Sequence, residues 1–100
     1  MTAPMRFLPN FVGEAVRIEQ RFEDERAGLG QQFATALERT VNSIAKAPES
    51  FSPLDRTTRV AGVHPFAYGI YYRLEQDGVV VMSLWHLHRR PGSWKRRRKQ

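Results

Sequence analysis

The sequence of 100 residues contains no cysteine. Disulfide bonds and thiolate chemistry are therefore excluded, and a reducing cytoplasm is the natural location for such a chain. The sequence also lacks an apolar run long enough to cross a bilayer. Its first residues lack the apolar stretch of a secretory signal. We therefore expect a cytoplasmic protein that does not associate with membranes.

Acidic residues are absent after Asp77, so the charge of the chain is uneven. Residues 1–50 carry six Lys or Arg and seven Asp or Glu, whereas residues 51–100 carry ten and three. The positive field of the C-terminal half should steer an acidic or polyanionic partner toward that half.

No internal repeat or flexible linker divides the chain, and its length is that of about one domain. We expect a single domain over residues 1–94, followed by a basic, mobile tail over residues 95–100. The tail could bind nucleic acid or an acidic protein segment without specificity, or it could only improve solubility.

The N-terminal half carries the pattern of two amphipathic helices. A short strand over residues 5–8 ends at Pro9, and Asn10 is placed to cap the helix that follows. Gly28 and Gly30 can supply the positive φ of a tight connection, and Pro48 stops the second helix. Apolar residues recur three or four positions apart in both helices: Phe11, Ala15, Ile18 and Phe22, then Phe33, Leu37, Val41 and Ile44. The two helices should form an antiparallel hairpin.

The C-terminal half predicts three antiparallel strands, over residues 56–63, 67–74 and 79–85, after a loop over residues 49–55. Asp77-Gly78 is a hairpin turn signal between the last two strands. Tyr68, Ile70, Tyr72 and Leu74 share one face of their strand, and Tyr71 faces the opposite side. The fold class is therefore α+β, with an N-terminal strand, a helical hairpin and an antiparallel meander of about three strands.

Residues 66–73, 79–82 and 86–94 read FAYGIYYR, VVVM and HLHRRPGSW. This order resembles the ParE-like branch of the RelE/ParE toxins, which often shows F-P-Y-x-I-Y-Y-R, an apolar strand and H-x-R-R-x-P-x-x-W. The N-terminal half agrees with the same branch at Phe22, Glu23, Gly28, Leu29, Gly30, Phe33, Ala36, Leu37, Ile44 and Pro48. The chain departs from the pattern at Ala67, His88 and Arg90, where proline, arginine and an acidic residue are common.

The resemblance implies a toxin of a type II toxin-antitoxin system that arrests growth or stabilises a plasmid. A ParD-like antitoxin, encoded beside it, would hold it inactive by folding a segment onto its surface. ParE-like members inhibit DNA gyrase, whereas RelE-like members cut messenger RNA in the ribosome. The fold does not choose between these targets. The resemblance implies neither a cofactor nor a small-molecule substrate.

An RNA-cleaving site would need an acid, a base and cations that neutralise phosphate. The candidates for such a site are His86, His88 and Arg89. Histidine has the right intrinsic pKa for proton transfer, but His86 could equally be a structural residue at the end of an apolar strand. Trp94 stands where RelE-type nucleases have a tyrosine, and it cannot act as an acid or base. We expect no metal, because the two histidines have no third ligand.

A second set of residues comprises the candidates for contacts with the target or the antitoxin. It contains Arg59, His64, Tyr71, Arg73, His88, Arg89, Arg90, Trp94, Lys95, Arg96 and Arg97. Three functions remain open: a toxin that binds gyrase without chemistry, a ribosome-dependent endoribonuclease, and a non-toxic basic binding module. The missing tyrosine favours the first of them.

Overall fold

A computed structural model describes residues 3–88 of the chain; residues 1–2 and 89–100 lie outside the described range. The strands are β1 (Met5–Phe7), β2 (Ser52–Pro53), β3 (Thr58–Gly62), β4 (Tyr68–Glu75) and β5 (Gly78–His86). The helices are α1 (Pro9–Glu25) and α2 (Leu29–Lys46), and a 3-10 turn, Pro48–Ser50, follows α2. Within residues 3–88, no helix has the length and apolar character needed to span a membrane.

The five strands form one sheet in the order β1-β5-β4-β3-β2. β1 lies parallel to β5, and the other pairs are antiparallel. A parallel partner is possible for β1 because the helical hairpin carries the chain across the sheet before the meander begins. The expected α+β architecture, with its N-terminal strand and helical hairpin, is confirmed.

Two expectations about where elements begin and end are wrong. Helix α1 begins at Pro9 rather than after Asn10, and Leu8 at its N-cap makes no side-chain hydrogen bond. Proline suits the first helical position because its φ is fixed and the N–H it lacks would have no partner there. The segment expected to be a loop contains β2, whose Ser52 and Pro53 pair with β3 at the edge of the sheet. Proline is tolerated in an edge strand.

The core lies between the helical hairpin and one face of the sheet. The expected stripes point into it, with Phe33 and Ile44 fully buried and Phe11 and Ile18 nearly so. The rings of Phe22, Phe33, Phe66 and Tyr68 form an aromatic cluster where the helices meet the start of β4. Tyr68, Ile70 and Tyr72, which the strand pattern places on one face of β4, are in the core.

A bulge in β5 changes which of its residues face the core. Tyr71 pairs with Ser83 and Tyr72 pairs with Val81, so Met82 is an extra residue between them. Val81 and Leu84 consequently both join the core although they are three positions apart. The bulge breaks the alternation after Val81, whereas before it Val79, Val80 and Val81 are all buried, so both faces of β5 are apolar there.

The connection between the helices depends on two glycines for different reasons. Gly28 has a φ of 90°, the conformation that glycine adopts without strain. Gly30 lies inside α2, and a Cβ at this position would stand 2.8 Å from the backbone oxygen of Glu19. The expectation that both glycines supply a positive φ therefore holds only for Gly28.

Removing the carboxylate of Glu23 should loosen this connection. One Glu23 oxygen accepts hydrogen bonds from the N–H groups of Gly28 and Gly30, at 3.1 and 3.0 Å, at the positive end of α2. We expect Glu23→Ala to lower the free energy of unfolding by about 1–2 kcal/mol, the usual cost of losing such a cap. Urea denaturation measures the change. Glu25→Ala, an exposed neighbour, is the matched control, and equal loss in both variants would contradict this role of Glu23.

Candidate functional site

Tyr71 and Arg73 lie on the face of the sheet that points away from the helices. Tyr71 is only 8% exposed, and burial raises the pKa of its hydroxyl. The guanidinium of Arg73 donates to Glu75 Oε2 at 2.9 Å and to the sulfur of Met82 at 3.8 Å. The charge of Arg73 is thus already paired within the sheet.

Arg59 lies on the opposite face of the sheet, where it holds the chain between α2 and β2. Its Nη1 donates to the carbonyl oxygens of Phe51 at 2.6 Å and Glu49 at 3.1 Å. The hydroxyl of Tyr72 donates to the carbonyl oxygen of Pro48 at 2.6 Å in the same segment. Arg59 is therefore engaged in backbone contacts. The sequence does not reveal these contacts, and in it Arg59 looks like a cation that could bind phosphate.

Burial raises the pKa of Tyr72 to about 12, although the nearby charge of Arg59 lowers it. The folded protein thus keeps this proton at a pH at which an unfolded tyrosine, with a pKa near 10.0, loses it. Tyr72 therefore contributes stability that is complete below pH 10 and is lost as the pH rises toward 12.

We expect the stability of the unmutated protein to fall between about pH 10 and 12, and that of Tyr72→Phe to fall less steeply. At neutral pH the variant should lose about 1 kcal/mol because its hydrogen bond to Pro48 is absent. Urea denaturation at several pH values, together with tyrosinate absorbance, gives both quantities. Identical pH profiles for the two proteins would exclude Tyr72 as the titrating group.

His64 is exposed between β3 and β4, and its ring covers Gly62, where a Cβ would lie 2.9 Å from Nε2. His86 and His88 lie together at the end of β5, with ring centroids 5.5 Å apart. The backbone N–H of His88 donates to His86 Nδ1 at 3.1 Å. Neutral His86 therefore carries its proton on Nε2, and its Nδ1 is occupied.

A cavity of about 220 Å³ lies between α1 and the end of β5. Within residues 3–88, its polar lining consists of Glu14, Arg17, Arg21, Tyr68 and His86. Arg21 Nη2 donates to the Tyr68 hydroxyl at 3.5 Å, and the rings of Tyr68 and His86 meet edge to face at 5.1 Å. Glu14 is 7% exposed, and its Oε1 accepts the backbone N–H of Leu84 at 3.0 Å.

Among the expected site residues within 3–88, only His86 lines this cavity. Glu14, Arg17, Arg21 and Tyr68 were not anticipated as site residues. One signal was available in the sequence: Glu14 falls between Phe11 and Ile18 on the apolar stripe of α1, where a carboxylate is unusual. Six expected residues lie outside the described range: Arg89, Arg90, Trp94, Lys95, Arg96 and Arg97. Within residues 3–88, no three His, Asp or Glu side chains are grouped so that they could hold a metal ion.

Comparison with known proteins agrees with this architecture. Residues 6–91 match the family described as "ParE toxin of type II toxin-antitoxin system, parDE". The fold is similar to a solved chain of the chromosomal ParDE toxin-antitoxin system from P. aeruginosa, with a TM-score of 0.76 and 4% sequence identity. The similarity covers 87% of this chain and 98% of that chain. No curated protein matches the sequence. Because the family match spans most of its length, the chain belongs to the ParE toxin family of type II toxin-antitoxin systems.

Proposed function

We propose that this protein inhibits DNA gyrase in the cytoplasm by binding to it, without chemistry of its own, and that a ParD-like antitoxin neutralises it. The observation that carries the proposal is the match of residues 6–91 to the ParE toxin family. The similar chain from P. aeruginosa belongs to a ParDE system, which supports pairing with an antitoxin.

Two arginines expected from the sequence as contacts are not available to neutralise phosphate in an RNA-cleaving site. Cleavage requires an acid, a base and a phosphate-neutralising cation around one bond. Arg73 is paired with Glu75, and Arg59 donates to backbone carbonyls. Nδ1 of His86 already accepts a backbone N–H. Arg59 and Arg73 are engaged in contacts that stabilise the fold and do not meet His86 at one reacting centre.

A supercoiling assay with purified gyrase tests the proposal. We expect the protein to inhibit supercoiling and to retain a gyrase subunit on an affinity resin, and the antitoxin to relieve the inhibition. Unchanged supercoiling together with no captured subunit would exclude gyrase as the target. In that case, rapid growth of bacteria that express the protein alone would indicate a non-toxic basic binding module.

A ribosome-dependent endoribonuclease is the second candidate, and the close approach of the His86 and His88 rings favours it. Under this hypothesis, His86→Ala or Arg89→Ala abolishes messenger cleavage in a translating extract. Arg56→Ala is the matched control, because Arg56 is an exposed arginine before β3 and is not among the expected contacts. An unmutated protein that cuts no message would eliminate this candidate.

A further inference from the structure

The first and last strands differ in length, so that, among the described residues, part of the edge of β5 has no strand partner. β1 pairs only with Val79, Val80 and Val81, whereas β5 continues to His86. Helix α1 passes beside the remaining part of that edge. Glu14 accepts a hydrogen bond from the backbone N–H of Leu84, which would have bonded to β1 if that strand were longer. The cavity of about 220 Å³ occupies this gap.

Hydrogen-bond donors dominate the polar lining of the cavity. Arg17 and Arg21 stand one turn apart on α1, and neither forms an ion pair with any carboxylate among residues 3–88. Tyr68 accepts from Arg21, and within the described chain its own hydroxyl proton has no acceptor. Neutral His86 carries a further N–H on Nε2, because its Nδ1 is an acceptor. The lining is thus prepared for a ligand that accepts hydrogen bonds and carries negative charge.

The charge of the surroundings defines the class of ligand. With neutral His86, two arginines and Glu14 give the part of the lining that the structure describes a net charge of +1, which suits a monoanion. Beyond Arg21, helix α1 continues with two exposed acidic residues, Asp24 and Glu25, whereas Glu19 and Glu23 line a different groove beside Gly28 and Gly30. Such a surface repels an extended phosphate backbone but tolerates one carboxylate held between the guanidinium groups. Ile18 and Leu84 supply apolar walls for the methylene groups of an acidic side chain.

We propose that this cavity binds one aspartate or glutamate side chain of the antitoxin, in the segment that folds onto the toxin. The carboxylate accepts hydrogen bonds from Arg17 and Arg21, and the Tyr68 hydroxyl can donate a further one. The inference rests on the pairing with an antitoxin in the proposed function. It does not depend on gyrase being the target.

The test measures the affinity of the full-length antitoxin encoded beside this gene for purified toxin variants. We expect Arg17→Gln/Arg21→Gln to weaken binding roughly tenfold to a hundredfold, as loss of charge-assisted hydrogen bonds does. Arg26→Gln, an exposed arginine at the end of the same helix and outside the cavity, should bind like the unmutated protein. Equal affinity of all three proteins would overturn the inference, as would an antitoxin that does not bind the unmutated toxin.

A charge reversal separates a direct contact from a folding defect. Arg21→Glu should weaken binding, and replacing the contacting antitoxin carboxylate with arginine should restore it. If no acidic residue of the antitoxin gives such restoration, the inference is overturned. Thermal unfolding of each free toxin variant records whether its fold is intact.

Small anions distinguish a carboxylate site from a phosphate site. Free toxin is titrated with acetate and, separately, with inorganic phosphate at constant ionic strength, while NMR follows the Nε–H signals of Arg17 and Arg21. Saturable shifts with acetate support the inference. Shifts with phosphate alone, together with arginine-independent antitoxin binding, overturn it in favour of a phosphate or nucleic-acid site. The supercoiling assay on unmutated toxin reports on gyrase separately, so a negative result there leaves an arginine-dependent antitoxin complex unaffected.

Discussion

Replacing Phe33 with alanine should lower the free energy of unfolding by about 3–5 kcal/mol, the largest effect we expect from a single substitution. Phe33 is completely buried, and its ring lies 5.2 Å from that of Phe22 and 5.3 Å from that of Phe66. Truncation removes the ring contacts and leaves a cavity between the helices and the sheet. Domains are typically stable by about 5–15 kcal/mol, so this change removes a large share of the total.

Urea denaturation of Phe33→Ala measures this loss. Val16→Ala is the matched control, because Val16 lies on the outer face of α1 and is 62% exposed. Its stability should change by less than about 0.5 kcal/mol. A Phe33→Ala protein as stable as this control would contradict the position of the aromatic cluster at the centre of the core.

Gly30→Ala, which adds one methyl group, should lower the free energy of unfolding by about 1–3 kcal/mol, even though alanine favours a helix more than glycine does. The new Cβ would stand 2.8 Å from the Glu19 backbone oxygen, so α1 and α2 would have to separate. It would also stand 2.9 Å from the Glu23 carboxylate oxygen that binds the start of α2. Thermal unfolding of Gly30→Ala measures the loss.

Asparagine at the two glycines separates their roles. Gly28 has a positive φ and open space around its Cα, and asparagine tolerates that conformation better than most residues. We therefore expect Gly28→Asn to lower the free energy of unfolding much less than Gly30→Asn does, because a side chain has no room at Gly30. If Gly28→Asn were more destabilising than Gly30→Asn, the close contact between the helices at Gly30 would be wrong.

Features governed by local periodicity were predictable from the sequence. The spacing of Phe11 and Ile18 placed one face of α1 against the core, and the same reasoning held for Phe33 in α2. Alternation along β4 placed Tyr72 and Tyr71 on opposite faces, and the structure shows that the face of Tyr72 is the one in the core. Each of these assignments depends only on residues within one element.

Features governed by distant partners were not predictable. β2 exists because two residues pair with Val60 and Arg59 of β3, and a two-residue strand has no periodic pattern of its own. The bulge at Met82 depends on the register between β4 and β5. The start of α1 depends on competition between Pro9 and Asn10 for neighbouring positions, and the fixed φ of proline prevails.

The residues of the candidate site also depend on partners that are distant in the sequence, and they were not predictable for the same reason. A basic C-terminal half drew attention to Arg59 and Arg73, but contacts between elements engage both side chains. The cavity, by contrast, combines α1 with the ends of β4 and β5, which are distant in the sequence. Arg17 and Arg21 look in sequence like any polar helix face. Only the short β1 and the open edge of β5 make them part of a cavity.

The most direct test of the central claim is induced expression in bacteria, with plasmid supercoiling and messenger RNA ends measured in one culture. Inhibition of gyrase by binding predicts relaxed or broken DNA while messages stay intact, with growth restored when the antitoxin is expressed. Cleaved messages with normal supercoiling would contradict the account. That result would place this member of the ParE family among the ribosome-dependent nucleases, with His86 and His88 as the first residues to replace.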